Sequence, residues 1–247
     1  MVLSMERWVG KVAVVTGASA GIGAAIVKEL AEKGVKVVGL ARRKEKIDEI
    51  AKSVKTGKIY AVKADISKEE DILSSFEWIK KNVGPISILI NNAGIKRNTN
   101  LTDGNTEQWR ETFDTNVLGL CIATREAVKD MRANKIDGHI IHINSLAGHR
   151  VSTRVVTNVY PATKFAVTAL TETLRQELNS IGSKIKISSI SPGAVRTDFR
   201  TASNLVEDEK VLSKSPYLEP KDVADAVVYV LSTPPHVQIH DLLMHPV

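Results

Sequence analysis

The sequence is poorest in cysteine. Cys121 is the single one among 247 residues, so no internal disulfide can form and a reducing compartment is the natural setting. A lone thiol of this kind reads as a small buried apolar residue rather than a nucleophile. Long apolar runs are also missing, and no stretch reaches the ~18 residues that a membrane helix needs. Met1 to Gly10 contains Glu6 and Arg7 and no apolar core of secretory length, so a cytoplasmic location without a membrane span is expected. The six histidines are scattered and no Cys/His pair has ligand spacing, which leaves no candidate metal site. Internal repeats, low-complexity tracts and linkers are absent as well, so the whole of 1–247 reads as one domain.

A strong charge bias is lacking too. The balance of 34 basic and 28 acidic residues is +6. The densest basic cluster, Arg42-Arg43-Lys44-Glu45-Lys46, runs straight into Asp48 and Glu49. Without zinc-finger spacing or a basic heptad region, nucleic-acid binding is not expected. A mildly basic surface instead suits an enzyme whose cofactor is anionic.

What is present is a regular alternation of strands and helices. Short β-branched runs predict strands near 11–15, 35–40, 59–63, 86–90, 139–143, 185–190 and 237–243. Helical spacing of apolar residues predicts helices near 21–33, 44–54, 69–82, 106–132, 158–181 and 220–231. This order implies an α/β fold, a doubly wound parallel sheet with helices on both faces and ligands at the carboxyl ends of the strands. The exception is 196–219, which is long, carries Glu207, Asp208 and Glu209 in a row and runs to Pro216 and Pro220. Segments of this length are lids or mobile loops, and this one is expected to close over substrate.

The first strand passes into Thr16-Gly17-Ala18-Ser19-Ala20-Gly21-Ile22-Gly23 and then a helix. Strand, glycine turn and helix is the context of a dinucleotide site, where glycines let the backbone approach a pyrophosphate facing helix amides. The spacing departs from G-x-G-x-x-G, since three residues separate Gly17 from Gly21. After the second strand, where an NAD site places an acid for the ribose 2′-hydroxyl, stands Ala41, followed by Arg42 and Arg43. Guanidinium groups bind phosphate through directed, charge-assisted hydrogen bonds, so Arg42, Arg43 and the Ser19 hydroxyl are expected to clamp the 2′-phosphate of NADP(H). Further on, Tyr160 and Lys164 lie one helical turn apart. An ammonium so placed favours the phenolate and draws the tyrosine pKa down from about 10 toward the working range.

Thr-Gly-x-x-x-Gly-Ile-Gly at the start, Asn91-Asn92-Ala93-Gly94 in the middle and Tyr160/Lys164 downstream together resemble the short-chain dehydrogenase/reductase family, whose fold is of the Rossmann type, over about Gly10 to Leu231. Asp137–Val151 and Val230–Ile239 carry a narrower likeness to its insect farnesol dehydrogenase branch and to vertebrate relatives that reduce keto-steroids and other carbonyls. The resemblance implies an oxidoreductase acting on an alcohol or carbonyl. It implies that Tyr160 transfers the proton, that Ser145 hydrogen-bonds the substrate oxygen as charge develops, and that Lys164 also holds the nicotinamide ribose. Asn116 would hold a water in the proton relay. Asp65, with Ile66, matches the position that meets the adenine, and Asp65 reads equally as a helix N-cap. Asn92, Ala93 and Gly94 suit close passage of the cofactor, while Asn91 reads at least as well as a brace for the central strands. Pro192, Gly193, Val195 and Thr197 match the segment over the nicotinamide.

Two features depart from the family pattern. The interval from Ser145 to Tyr160 is slightly long, giving a basic loop His149–Arg154, and Pro161 follows the tyrosine. With Asn158 as N-cap, Pro161 falls in the first turn and is tolerated. Val155, Val156, Ala194, Phe199 and Leu205 suit a lipophilic substrate. Leu118, Leu120, Val128, Ala166, Val167 and Leu170 add apolar positions to two long helices, which in this family pair into homodimers and homotetramers across two-fold axes.

Overall fold

Seven strands hydrogen-bond side by side in the order β3-β2-β1-β4-β5-β6-β7, and every pairing is parallel. The computed structural model describes residues 3–152, 158–199 and 216–247. The strands are β1 (Val12–Thr16), β2 (Lys36–Ala41), β3 (Lys58–Lys63), β4 (Ile86–Asn91), β5 (His139–Ile143), β6 (Lys186–Pro192) and β7 (Asp241–Met244). The helices are α1 (Gly21–Glu32), α2 (Lys44–Ser53), α3 (Glu69–Asn82), α4 (Thr106–Phe113), α5 (Gly119–Ala133), α6 (Tyr160–Ser180) and α7 (Pro220–Ser232).

Side chains on a strand point alternately to opposite faces, and both faces of this sheet are covered. From β1, Ala13 and Val15 join Ile26, Leu30, Val227 and Val230 of α1 and α7. Its Val12 and Val14 join Ile72, Phe76 and Ile79 of α3 and Ile122 and Met131 of α5 on the other face. Continuous burial along β1, β4, β5 and β6 follows from this double cover. The chain steps from β1 outward to β3, then returns to lay β4 against β1. That reversal opens a crevice at the carboxyl ends of β1 and β4, where ligands bind in doubly wound sheets.

Three expectations need correction. The helix expected over 106–132 is interrupted by a π-helical turn, Asp114–Leu118, that separates α4 from α5. Such turns occur frequently at functional sites. The last strand begins at Asp241 rather than 237, because 237–239 lies beside β6 through side-chain bonds instead of a ladder. Lys186 Nζ donates to Val237 O (2.7 Å), Gln238 Nε2 donates to Ile187 O (3.0 Å), and Ser188 Oγ donates to Ile239 O. Cys121 is only half-buried, although that burial still pushes its thiol pKa up. Most of the expected lid, 200–215 with Leu205, lies outside the described residues, as do Thr153, Arg154, Val155 and Val156.

Candidate active site

The turn after β1 is built for close approach. Gly17 and Gly21 take φ values of 67° and 53°, in the left-handed region that costs glycine nothing. A Cβ on Gly17 would fall 2.8 Å from Ala93 Cα, and one on Gly23 would run into Gly17 O. Thr16 Oγ1 accepts hydrogen bonds from the amides of Asn92 and Ala93, both at 3.0 Å. Asn92 Nδ2 donates back to Thr16 O (2.9 Å) and Gly17 O (3.2 Å). The turns after β1 and β4 are therefore laced together, with Ser19, Ile22 and Gly94 alongside. Asn92 spends its amide on this lacing, and Asn91 donates from Nδ2 to Thr124 Oγ1 (2.8 Å) inside the sheet's cover. Helix α1 starts after Ala20 with no side-chain cap, so its first amides remain for an anion such as a pyrophosphate. Thr197 stands against the same turn, its Cγ2 2.9 Å from where a Gly21 Cβ would be.

At the end of β2, Ala41 is buried while Arg42 and Arg43 are exposed. The helix that follows forms its own ion pairs, Lys44–Asp48 (2.8 Å) and Lys46–Glu49 (3.0 Å), and neither uses the two arginines. Asp65 does not cap α3, which begins at Glu69 after Lys68. Its Oδ1 instead accepts from Ser67 N (3.0 Å) and Ser67 Oγ (2.7 Å). Partial burial pushes the Asp65 carboxyl up, but the two Ser67 bonds, with Arg42 and Lys68 nearby, leave it below the usual range. Ile66 is buried, and its carbonyl lies so close to Gly119 that no Cβ would fit there.

Ser145 leaves β5 in an extended conformation and opens a short 3-10 turn, Leu146–Gly148, its Oγ accepting from Ala147 N (3.1 Å). Tyr160 is the first residue of α6. Asn158, at φ 41°, accepts from Tyr160 N through Oδ1 (3.2 Å) and donates from Nδ2 to Arg97 O (2.7 Å). It thus supports the helix start as a cap would, and Pro161 sits in the first turn as expected. The Tyr160 hydroxyl is hydrogen-bonded to Ser145, and its ring meets Phe199 at 5.8 Å between centroids. Lys164 is 5% exposed and donates from Nζ to Ile143 O at 2.9 Å.

The electrostatics correct one expectation. Burial pushes Tyr160 up to about 12, opposed by the Ser145 hydrogen bond, and burial brings Lys164 down to about 8. The ammonium lies 5.8 Å from the phenol ring centroid and is bonded to a backbone carbonyl. Desolvation of the phenolate therefore outweighs its attraction to the lysine.

Asn116, in the π-turn, is committed to the protein. Its Oδ1 accepts from Ile95 N (2.8 Å), while Nδ2 donates to Ile95 O (2.9 Å) and Thr163 Oγ1 (3.1 Å). Thr163 in turn donates to Tyr160 O (2.7 Å). Asn116 thereby joins the segment after Gly94 to the first turn of α6. On the far side, Gly193 N donates to Met244 O (2.8 Å) and Val195 pairs with Leu218, which fixes the backbone after Pro192. Thr163 and the brace role of Asn158 carried no signal beyond their position near the tyrosine. Among the described residues no group of His, Cys, Asp or Glu could hold a metal, and no helix is long and apolar enough to cross a membrane.

The chain as a whole has counterparts among known proteins. The sequence pattern described as short chain dehydrogenase matches residues 11–208. The chain is 50% identical to the farnesol dehydrogenase of Aedes aegypti, covering 98% of both chains. It is 48% identical to human dehydrogenase/reductase SDR family member 11, over 98% of this chain and 96% of the relative. Among solved structures, the closed form of serine dehydrogenase complexed with NADP+ superposes with a TM-score of 0.86 at 32% identity, over 94% of both chains. This chain belongs to the short-chain dehydrogenase/reductase family and is an oxidoreductase of that family.

Proposed function

We propose that the protein is an NADP(H)-dependent oxidoreductase that interconverts a lipophilic alcohol and its aldehyde or ketone, with a farnesol-like isoprenoid alcohol favoured. The observation that carries this reading is the partly buried Tyr160 hydroxyl, within hydrogen-bonding reach of Ser145 and one helical turn from Lys164. The reduced nicotinamide, when bound, supplies a hydride. In reduction Tyr160 gives its proton to the substrate oxygen, and a phenol pushed up to about 12 holds that proton throughout the neutral range. Ser145 donates a hydrogen bond to the same oxygen as it gains charge. Lys164 has three N–H donors and, among the described residues, uses one on Ile143 O, leaving donors for the ribose hydroxyls. Asn116 keeps α6 seated against the Ile95 segment. The open amides of α1, the glycine cradle with Ser19, and the turn with Ala93 and Gly94 suit a pyrophosphate cofactor. Asp65 and Ile66 suit its adenine, while Pro192, Gly193, Val195 and Thr197 suit its nicotinamide end. Exposed Arg42 and Arg43 beside Ala41 favour a 2′-phosphate.

Support for the isoprenoid substrate comes from the 50% identity to an insect farnesol dehydrogenase and from Phe199 packed on the tyrosine ring. The rival reading is a reductase of keto-steroids or general carbonyls. A cofactor-binding sensor or structural subunit is disfavoured, because Ser145, Tyr160 and Lys164 are all present and grouped. Residues 196–219 are proposed as a substrate lid on a single cytoplasmic domain. A homodimer or homotetramer is also proposed, since Phe113, Leu118 and Phe165 leave apolar side chains exposed on α4, the π-turn and α6. Light scattering at micromolar protein checks this, a monomeric mass counting against it. The functional test is loss of the NADPH absorbance band with a panel of isoprenoid aldehydes, steroid ketones and simple carbonyls, and the reverse reaction with the alcohols. The isoprenoid pair should give the highest kcat/KM. Turnover of none would contradict the enzyme reading, and a steroid optimum would select the rival.

A further inference from the structure

Ser145 must hold its hydroxyl within hydrogen-bond reach of a reacting oxygen, yet it sits at the start of a loop rather than inside β5. Its position depends on the 3-10 turn that follows. On one side that turn is fastened to α6, where Thr168 Oγ1 donates to Gly148 O (2.9 Å) and receives Asn144 Nδ2 (2.9 Å). A Cβ on Gly148 would fall 2.7 Å from both Asn144 Oδ1 and Lys164 O, so turn and helix touch without slack.

The opposite side is held by His149. Its Nε2 lies 2.9 Å from Ser191 Oγ and 3.2 Å from Asp241 Oδ2. Ser191 Oγ donates to Asp241 Oδ1 (3.1 Å), which spends the hydroxyl proton. His149 Nε2 must then be the donor, shared between the serine oxygen and the carboxylate. Ser191 is on β6 and Asp241 begins β7, so one imidazole joins the Ser145 turn to two strands. The side chains are 23% and 30% exposed, and a pair this wet contributes little to global stability. Its effect is on geometry. Nearby, Leu146 Cδ1 and Pro246 Cδ lie 3.2 and 3.1 Å from where a Gly193 Cβ would stand. The turn bearing Ser145, the Pro192–Gly193 backbone and the residues after β7 therefore meet at one junction.

We propose that His149, clasped by Asp241 and Ser191, is a positioning residue that aims Ser145 at the substrate oxygen. The proposal rests on the reading of Ser145 given above. A misaimed Ser145 loses charge stabilisation in the transition state, whereas the groups proposed for the pyrophosphate, the adenine and the 2′-phosphate lie on other turns, so that most of the cofactor's contacts are kept. His149→Ala should lower kcat for carbonyl reduction at least tenfold while leaving the NADPH dissociation constant within twofold. His149→Gln, which keeps a donor at similar reach, should recover most of the loss. Asp241→Asn keeps the shape of the carboxylate and should give an intermediate loss, so the test stands even where the alanine variant folds poorly.

The deciding experiment repeats His149→Ala and Asp241→Asn in a Ser145→Ala background. A residue that acts through Ser145 has nothing left to aim there, and each second substitution should cost less than twofold in kcat. A loss as large as in the native background means that His149 acts otherwise and overturns the proposal, as does an unchanged kcat in His149→Ala itself. An unchanged kcat in Ser145→Ala alone removes the underlying reading and this proposal with it.

Discussion

Among the described residues two lysines are buried, and their surroundings differ in an instructive way. Lys164 and Lys186 are 5% and 6% exposed, and burial lowers each to about 8. Lys186, at the amino end of β6, directs its ammonium at three neutral acceptors, Val237 O (2.7 Å), Pro234 O (3.3 Å) and Thr233 Oγ1 (3.4 Å). That accounts for all three of its N–H donors, and Arg7 adds only repulsion. Lys164, near the carboxyl end of β5, has a single acceptor among the described residues, Ile143 O. A buried ammonium with unused donors is costly unless something else satisfies them. The same residue type is therefore a filled structural tie at one end of the sheet and, at the other, keeps the donors that the proposed ribose-holding role requires.

The comparison breaks most readily by substitution. Lys164→Met should lower kcat/KM for carbonyl reduction by at least ~10²-fold, within the range of groups that act on proton transfer, and weaken NADPH binding as well. Lys186→Met should leave both within twofold, as steady-state kinetics and cofactor titration would show. Similar losses in the two variants would erase the distinction.

A smaller effect sharpens the binding side. NADPH should bind at least about tenfold more tightly than NADH, roughly 1.4 kcal/mol, well within one charge-assisted contact to phosphate. Arg42→Ser with Arg43→Ser should reduce that preference below about threefold. Equal dissociation constants in the unaltered protein would rule out the clamp.

The smallest effect is on stability and separates the lysines by pH. Folding lowers both to about 8 from an ordinary 10.5. Below pH 8 both are charged in the folded and unfolded chains, and the burial cost is fully present. Between about pH 8 and 10 the unfolded chain holds more protons, so stability rises with pH. Above about 10 the rise is opposed, because Tyr160 is pushed up to about 12 and keeps a proton that the unfolded chain loses. Chemical denaturation at pH 7.5 and 9.5 should show the rise. Lys186→Met should flatten part of it. A flat profile in the unaltered protein would contradict the burial account. On the acid side, buried His139 and His142 are held neutral, His142 down at about 3, so stability should fall once pH drops below about 6.5.

Much of this was readable in the residues, for local reasons. A β-branched run buried on both faces can be little but a parallel strand, and β1, β4, β5 and β6 lie where such runs stand. Gly17 and Gly23 are dictated by backbone crowding and Gly21 by its positive φ, which the amino-acid type reports directly. The π-turn at Asp114–Leu118 was not legible, because a shift from i+4 to i+5 bonding leaves no mark on composition. Val237-Gln238-Ile239 mimicked a strand because those residues do run beside β6, held by side chains rather than by a ladder. The Tyr160–Lys164 pair suggested proton-transfer chemistry but misled on the pKa, since i,i+4 spacing shows neither burial nor the Ile143 carbonyl that takes the ammonium. The His149 clasp joins residues far apart in the chain, so only the folded sheet brings them together.

The central claim is that the Tyr160 hydroxyl delivers the proton while the cofactor is bound by other groups. Tyr160→Phe removes that oxygen and keeps the ring against Phe199. Measured together, the kcat of this variant with its best carbonyl substrate should fall by ~10²–10⁴-fold, and its NADPH dissociation constant should stay within about twofold, a change under roughly 0.5 kcal/mol. Retention of more than about a tenth of the native kcat, a loss of under about 1.4 kcal/mol, would contradict the account.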